Sequence, residues 1–202
     1  MENAARRLGF AYVAGVDEVG RGCLAGPVVA GAVILHPARH IAGLADSKVL
    51  RAQARESLAE EIREKAVAWS LAVLDPAEID RLNIHRASLT AMRQAAMSLT
   101  PLPAFVFVDG FPLPGLPVAQ RSVIHGDARV AAIAAASIVA KVARDAMMLD
   151  LHTRDPRYGF DRHKGYATAE HLAAVARYGY SPAHRRTFRP PTLFDLSDTI
   201  AD

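Results

Sequence analysis

Four acidic residues hold the chemical interest of this chain. Asp17 and Glu18 interrupt the apolar run that starts at Phe10, and Asp109 closes the run Phe105-Val106-Phe107-Val108. Asp127 follows Gly126 just ahead of the most regular helical stretch. A carboxylate at the end of a buried strand is costly when it is desolvated without a partner. Taken singly, a helix N-cap accounts for Asp127 and solvent for the others. Taken together, hard oxygen ligands converging at strand ends are the chemistry of Mg²⁺ or Mn²⁺. Asp17 and Glu18 are sequence neighbours, which point to opposite faces of a regular strand. They share one site only if the strand ends, bends or bulges there, and Gly20 and Gly22 favour such a break.

Other chemistries find less support. Gly15-x4-Gly20-Arg21-Gly22 approaches a phosphate-binding loop but lacks the Lys-Ser/Thr pair, and Gly20-x-Gly22 is followed by Ala25 where a dinucleotide fingerprint needs glycine. His163, His171 and His184 match no zinc spacing, so hydrogen-bonded or surface histidines are expected. Ser137, Lys141 and Asp145 recur four apart and share a helix face. They suit a phosphate-facing or supporting role as well as an ordinary ion pair.

The elements that must carry these residues follow from periodicity. Phe10 to Val16 and Val28 to Leu35 predict two adjacent strands, and Arg51 to Lys65 an exposed amphipathic helix. Ala66 to Leu74 predicts a third strand, after which Asp75 as N-cap and Pro76 at the first position start a helix. Helix is predicted over Ile84 to Leu99, strand over Ala104 to Asp109 and again over Gln120 to Ile124. Ile138, Val142, Ala146 and Leu149 give Ile133 to Leu149 a single apolar face, and a shorter helix spans Thr168 to Tyr178. This order predicts one α/β domain over residues 1–190, with a mixed central sheet flanked by helices. Residues 150–190 form its small, helical, basic C-terminal portion, and 191–202 a flexible tail.

Composition excludes several classes. A single cysteine, Cys23, makes neither an internal disulfide nor a cysteine-based zinc site. With 51% hydrophobic and 22% charged residues the chain is too apolar for disorder. The longest uncharged apolar stretch, Cys23 to Leu35, is 13 residues and holds Pro27, against the roughly 20 that a spanning helix needs. Arg6-Arg7 with Leu8 to Val16 only faintly imitates a signal peptide, so a reduced, cytoplasmic protein is expected. The net charge of +3 says little, but residues 154–189 carry eight Lys and Arg against three acids. That is either a solvated surface or a footprint for a phosphate backbone.

The motifs in order resemble one family. Ala14-Gly15-Val16-Asp17-Glu18-Val19-Gly20-Arg21-Gly22, with Gly26-Pro27-Val28-Val29, is similar to the opening signature of ribonuclease HII. Asp46-Ser47-Lys48, Val108-Asp109-Gly110, Gly126-Asp127-Ala128 and Ala134-Ala135-Ala136-Ser137-Ile138 follow, then Ala140-Lys141-Val142 with Arg144-Asp145. His163-Lys164-Gly165-Tyr166 and Ser181-Pro182 with His184-Arg185-Arg186 and Phe188 complete the series, which covers about residues 12 to 190.

The resemblance implies a ribonuclease H-like fold and a metal-dependent endonuclease. Such an enzyme cuts RNA in RNA–DNA hybrids, and cuts 5′ of single ribonucleotides embedded in duplex DNA, leaving 3′-hydroxyl and 5′-phosphate ends. It implies that Asp17, Glu18, Asp109 and Asp127 bind Mg²⁺ or Mn²⁺, with two ions once substrate is bound. Gly20, Arg21 and Gly22 would contact the ribose 2′-hydroxyl and its phosphate, and Tyr166 the sugar of the following deoxynucleotide. Lys48, Ser137, Lys141 and Lys164 are further candidate substrate contacts. Cys23 stands where the family has proline, and His125 and Arg129 replace lysines beside Gly-Asp-Ala. A monomer is expected. A clamp or polymerase partner has no support beyond the length and polarity of the tail, Thr192 to Asp202. A hybrid-binding module without catalysis and a related nuclease of different preference are the alternatives. The four carboxylates argue against the first.

Overall fold

In the computed structural model, residues 1–44 and 50–188 are described. β-Branched and small residues build the first two strands, β1 (Val13–Val19) and β2 (Val28–Ile34), which form an antiparallel pair running unbroken from Ala14↔Ile34 to Val19↔Val29. β3 (Ala68–Leu74) adds antiparallel to β2. β4 (Phe105–Asp109) and β5 (Ala119–Val123) add parallel on the other side of β1. The mixed five-stranded order is β3-β2-β1-β4-β5.

The helices are α1 (Glu2–Arg7), α2 (Ala52–Lys65), α3 (Pro76–Leu82) and α4 (Ile84–Met97), followed by α5 (Ala131–Arg154), α6 (Phe160–His163) and α7 (Ala169–Tyr178). α3 starts as its sequence requires. The Asp75 carboxylate accepts from the Glu78 N–H, and Glu78 returns the bond to the Asp75 N–H. None of the helices among the described residues is long and apolar enough to cross a membrane.

Strand alternation sends the two sets of side chains to two different cores. Ala14, Val16, Ala30 and Ala32 pack with Ala87, Ala91, Met92 and Ala95 of α4. On the opposite face Val33 packs with Ala135, Ala136 and Val139 of α5. There the helix backbone lies directly on the sheet. A Cβ at Gly15 would come within 2.2 Å of the Ala132 carbonyl carbon, and one at Gly31 within 2.4 Å of the Ala136 oxygen. Two glycines in neighbouring strands, opposite an alanine run, are what bring α5 this close.

The largest departures from expectation are in β1, α5 and α1. β1 begins at Val13 and continues through Asp17 and Glu18 to Val19, because β2 supplies ladder partners that the strand's own apolar pattern does not reveal. α5 runs 24 residues, past Leu149 to Arg154. α1 has no counterpart among the predicted elements, and it brings the Glu2 carboxylate 2.9 Å from the Ala132 N–H, where it satisfies an end group of α5 whose own N-cap, Val130, has no capping side chain. The expected flexible tail, 191–202, lies outside the described residues.

Candidate active site

The sheet explains how two adjacent acids on opposite faces of a regular strand both come near Asp109 without a bulge. β1 pairs with β4 only as far as Val16↔Val108, whereas its pairing with β2 continues through Val19↔Val29. Beyond Val16 the strand is therefore regular on one side and open on the other, and Asp109 sits at the end of β4 beside that opening. Alternation puts Asp17 on the α5 face, where Ser137 hydrogen-bonds it, and Glu18 on the α4 face. Both still feel the Asp109 charge.

The electrostatics are those of a concentrated negative site. Asp17 is only 5% exposed. Burial pushes its pKa well above the usual carboxylate range, the neighbouring Glu18 and Asp109 charges push it further, and hydrogen bonds from Ser137 and the Glu18 N–H (2.8 Å) oppose the rise. Burial also raises Glu18, against the Arg21 guanidinium 3.2 Å away. Asp109 accepts the Gly126 N–H at 2.7 Å, which ties the end of β4 to the 3₁₀ turn Gly126–Ala128 that carries Asp127. The Asp127 carboxylate turns back on the Ala128 N–H at 3.0 Å. It does not cap α5. The structure thus gathers Asp17, Glu18 and Asp109 and leaves Asp127 on the adjoining turn. Among the described residues no three acidic, histidine or cysteine side chains are drawn to a single point.

The donor chemistry nevertheless fits a hard divalent cation. Three carboxylates lie where β1 and β4 part, and Asp17 is buried there with no cationic partner among the described residues. A positive ion there would offset the burial that raises Asp17 and Glu18.

Gly20, Arg21 and Gly22 leave the end of β1 as a loop. Gly20 needs its glycine for two reasons, a φ of +92° and the Arg144 side chain, which would meet a Cβ at 2.2 Å. Gly22 is exposed, has no such φ and faces open space, so nothing within the protein requires glycine there. Tyr166 stands against this loop. Its backbone forms a bridge with Cys23, and its ring is 41% exposed. Cys23 itself is buried, and burial pushes its thiol pKa up.

The secondary candidates divide. Ser137 reaches Asp17. Lys141, half-buried, is held 2.6 Å from Asp145, which Arg55 also approaches at 3.4 Å. The Lys164 ammonium donates to the Asp161 carbonyl at 2.6 Å. Lys48 lies outside the described residues. The C-terminal basic excess is partly neutralised by surface acids and partly buried. Arg157 pairs with Asp155, Arg162 with Glu170, and Arg185 is fully buried. The three histidines form a buried, hydrogen-bonded group. His163 stacks on His171 at 4.3 Å between ring centroids, and His171 Nε2 lies 3.0 Å from His184 Nε2.

Sequence reasoning gave no role to Arg144 and Arg185. Arg144 could have been noticed, because it falls in the same i, i+4 row as Ala136, Ala140 and Met148, all buried. For Arg185, in a non-helical segment, no local signal exists.

Comparison with known proteins decides the family. The ribonuclease HII family profile matches residues 14–190. The chain belongs to the ribonuclease HII family. It is 55% identical to the ribonuclease HII of Bordetella avium over 185 residues, which is 92% of each chain. Among solved structures it is similar to the ribonuclease H2 of Pyrococcus horikoshii, with a TM-score of 0.74, 25% identity, and coverage of 93% of this chain and 98% of that one. The RNase HII of Archaeoglobus fulgidus, solved in complex with PCNA, gives a TM-score of 0.73 and 25% identity, covering 91% of this chain and 99% of that one. Membership of the ribonuclease HII family makes the chain a ribonuclease H with a ribonuclease H-like α/β fold, as the motifs implied. The family cleaves RNA in RNA–DNA hybrids.

Proposed function

We propose that this ribonuclease HII family member cuts both RNA–DNA hybrid tracts and duplex DNA carrying a single ribonucleotide, 5′ of the ribonucleotide, leaving 3′-hydroxyl and 5′-phosphate ends. One observation carries the reading. The acidic strand end of Asp17, Glu18 and Asp109 adjoins a loop and a tyrosine suited to recognise two successive sugars.

In this reading Asp17, Glu18, Asp109 and Asp127 hold Mg²⁺ or Mn²⁺, which on binding supplies activation of a water and stabilisation of the leaving 3′-oxygen. The residues do the rest. Ser137 fixes the rotamer of Asp17, and the Gly126 N–H fixes that of Asp109. The Arg21 guanidinium, half-exposed beside Glu18, is placed to reach a phosphate. Open space at Gly22 lets backbone groups approach a ribose, whose 2′-hydroxyl both donates and accepts and so separates RNA from DNA. The exposed Tyr166 ring tests the next sugar by shape. With one device on each side of the step, the enzyme recognises the RNA–DNA junction rather than RNA alone.

A duplex with one embedded ribonucleotide, incubated with Mg²⁺ and read on a sequencing gel, tests this. One cut 5′ of the ribonucleotide is expected, and Tyr166→Ala should lose more on this substrate than on a uniform hybrid. No cut by the wild type sinks the reading. Cutting of long hybrid tracts alone favours a nuclease of different preference, and equal loss on both substrates removes Tyr166 from the junction.

A further inference from the structure

Two arginines stand outside the roles given above. Arg144 on α5 and Arg185 in the C-terminal segment are both fully buried. Neither pairs with a carboxylate among the described residues; each side chain hydrogen-bonds main-chain carbonyls. Burial brings Arg185 down to about 10, so it stays charged at neutral pH. Two buried cations without counter-ions are a costly way to fill space, and apolar side chains of similar volume would serve packing better.

Their carbonyl partners show what the charges do. Arg144 donates to Ala25 (3.1 Å), Pro27 (2.9 Å) and Lys164 (3.0 Å). Arg185 donates to Gly26 twice (3.0 and 2.9 Å), to Arg21 (2.9 Å) and to Gly20 (2.6 Å). Five of these six carbonyls belong to the loop between β1 and β2. Backbone bonds fasten the same loop to both neighbouring segments, Leu24 N–H to Gly165 and Gly26 N–H to Ala183, while the Arg185 N–H returns to Leu24.

The planarity of the peptide adds a directional consequence. In a trans peptide the C=O of one residue and the N–H of the next point opposite ways. Holding the Gly20 and Arg21 carbonyls inward therefore turns the Arg21 and Gly22 N–H groups outward. Neither N–H has a partner among the described residues. They leave the loop at its exposed tip, next to Glu18 and Tyr166. Successive outward N–H groups form a concavity for an electronegative oxygen.

We propose that Arg185 is a positioning residue that aims the Arg21 and Gly22 N–H groups at an oxygen of the bound nucleic acid, either the ribose 2′-hydroxyl or the adjoining phosphate. The assignment rests on the function proposed above. It makes a buried guanidinium, which touches no substrate, the part that sets the geometry of the recognition loop, with Arg144 holding the loop's far end.

Arg185→Lys keeps the charge but cannot span three carbonyls with one ammonium, and Arg185→Met keeps the bulk without the charge. On the single-ribonucleotide duplex, kcat per folded molecule is expected to fall about tenfold in each, as for a slightly misplaced binding group. Affinity for uncut hybrid in EDTA should stay within about threefold, because remote phosphate contacts dominate it. In amide NMR spectra the Arg21 and Gly22 N–H signals should shift on hybrid binding in the wild type and shift less in the variants. A purely structural arginine would instead lose activity only in proportion to the unfolded fraction. Wild-type kcat per folded molecule in both variants overturns the assignment. Where a variant does not fold, Phe188→Ala removes the half-buried ring 5.0 Å from the Arg185 guanidinium and should reproduce a smaller fall; an unchanged kcat there overturns the assignment equally. A wild-type chain that leaves the duplex uncut removes the functional reading and this assignment with it. Wild-type cutting beside unchanged variants removes the assignment alone.

Discussion

At the scale of single residues, the site stores unfavourable electrostatics. Asp17 is buried beside two other acids, and its raised pKa records how poorly its charge is compensated. Asp17→Asn should therefore stabilise the metal-free fold at neutral pH, because the folded state holds the charged form of Asp17 at a cost. It should also cut turnover at least a hundredfold, roughly the several kcal/mol that a lost metal contact removes. Asp109→Asn should cost similar turnover while leaving hybrid affinity in EDTA the same or higher, through reduced repulsion of phosphates. Urea unfolding in EDTA together with single-turnover cleavage checks the pair. A destabilised Asp17→Asn, or an active Asp109→Asn, contradicts it. Residue types alone disclosed the acids, since a carboxylate closing an apolar run is conspicuous. They did not disclose Ser137 as the partner of Asp17, because that bond joins a strand to a helix 120 positions further along the chain.

At the scale of elements, the close approach of α5 to β1 and β2 puts Ser137 over Asp17. Gly31 is the sharpest test, since its Cβ would fall 2.4 Å from the Ala136 carbonyl oxygen, an atom that cannot move without the helix. Gly31→Ala should destabilise the protein by about 2 kcal/mol, typical of overpacking. It should also lower kcat more than the folded fraction accounts for, as Ser137 lifts away from Asp17. Thermal melts with cleavage at a temperature where the variant is folded provide the check, and full activity per folded molecule would separate the packing from the site. The strands and helices themselves were largely legible from periodicity. What periodicity missed was pairing. β1 extends through two acids because β2 lies alongside, and the site opens because the pairing of β1 with β4 ends at Val16↔Val108.

At the scale of the molecule, the C-terminal portion braces the β1–β2 loop and Tyr166 more than it offers a basic surface. His171 Nδ1 lies 2.9 Å from the Tyr166 carbonyl, His184 bridges to Ala25, and Ser181 holds His184 Nδ1 at 2.8 Å. The neighbouring titratable groups are His163, Asp155 and Glu170. Burial, with the neighbouring His171, pushes His184 down from 6.5 to about 4, and burial lowers His171 too. The unfolded chain thus binds more protons than the native one between these values. The His184 contribution is complete above pH 6.5 and is lost as pH falls towards 4. Between pH 7.5 and 5 the wild type should lose about 2 kcal/mol more than His184→Gln in urea unfolding, the worth of about one and a half pKa units. Parallel curves for the two proteins would remove His184 as the source. The +3 net charge acquires a different meaning at this scale, since Arg144 and Arg185 spend their charge on carbonyls inside the protein.

The sequence by itself determined the family, the α/β class and most of the strands and helices, and it singled out the four acids. These depend on local pattern, on motif order and on residue types that are costly to bury. Only the tertiary structure decided that β1 stays regular through two acids while opening beside Asp109, that the three histidines are a buried group, and that two arginines grip the loop between β1 and β2. Each of those depends on which segments lie side by side. A carbonyl offers a guanidinium no side-chain signature, so an arginine that binds backbone looks in sequence like one that binds water or phosphate.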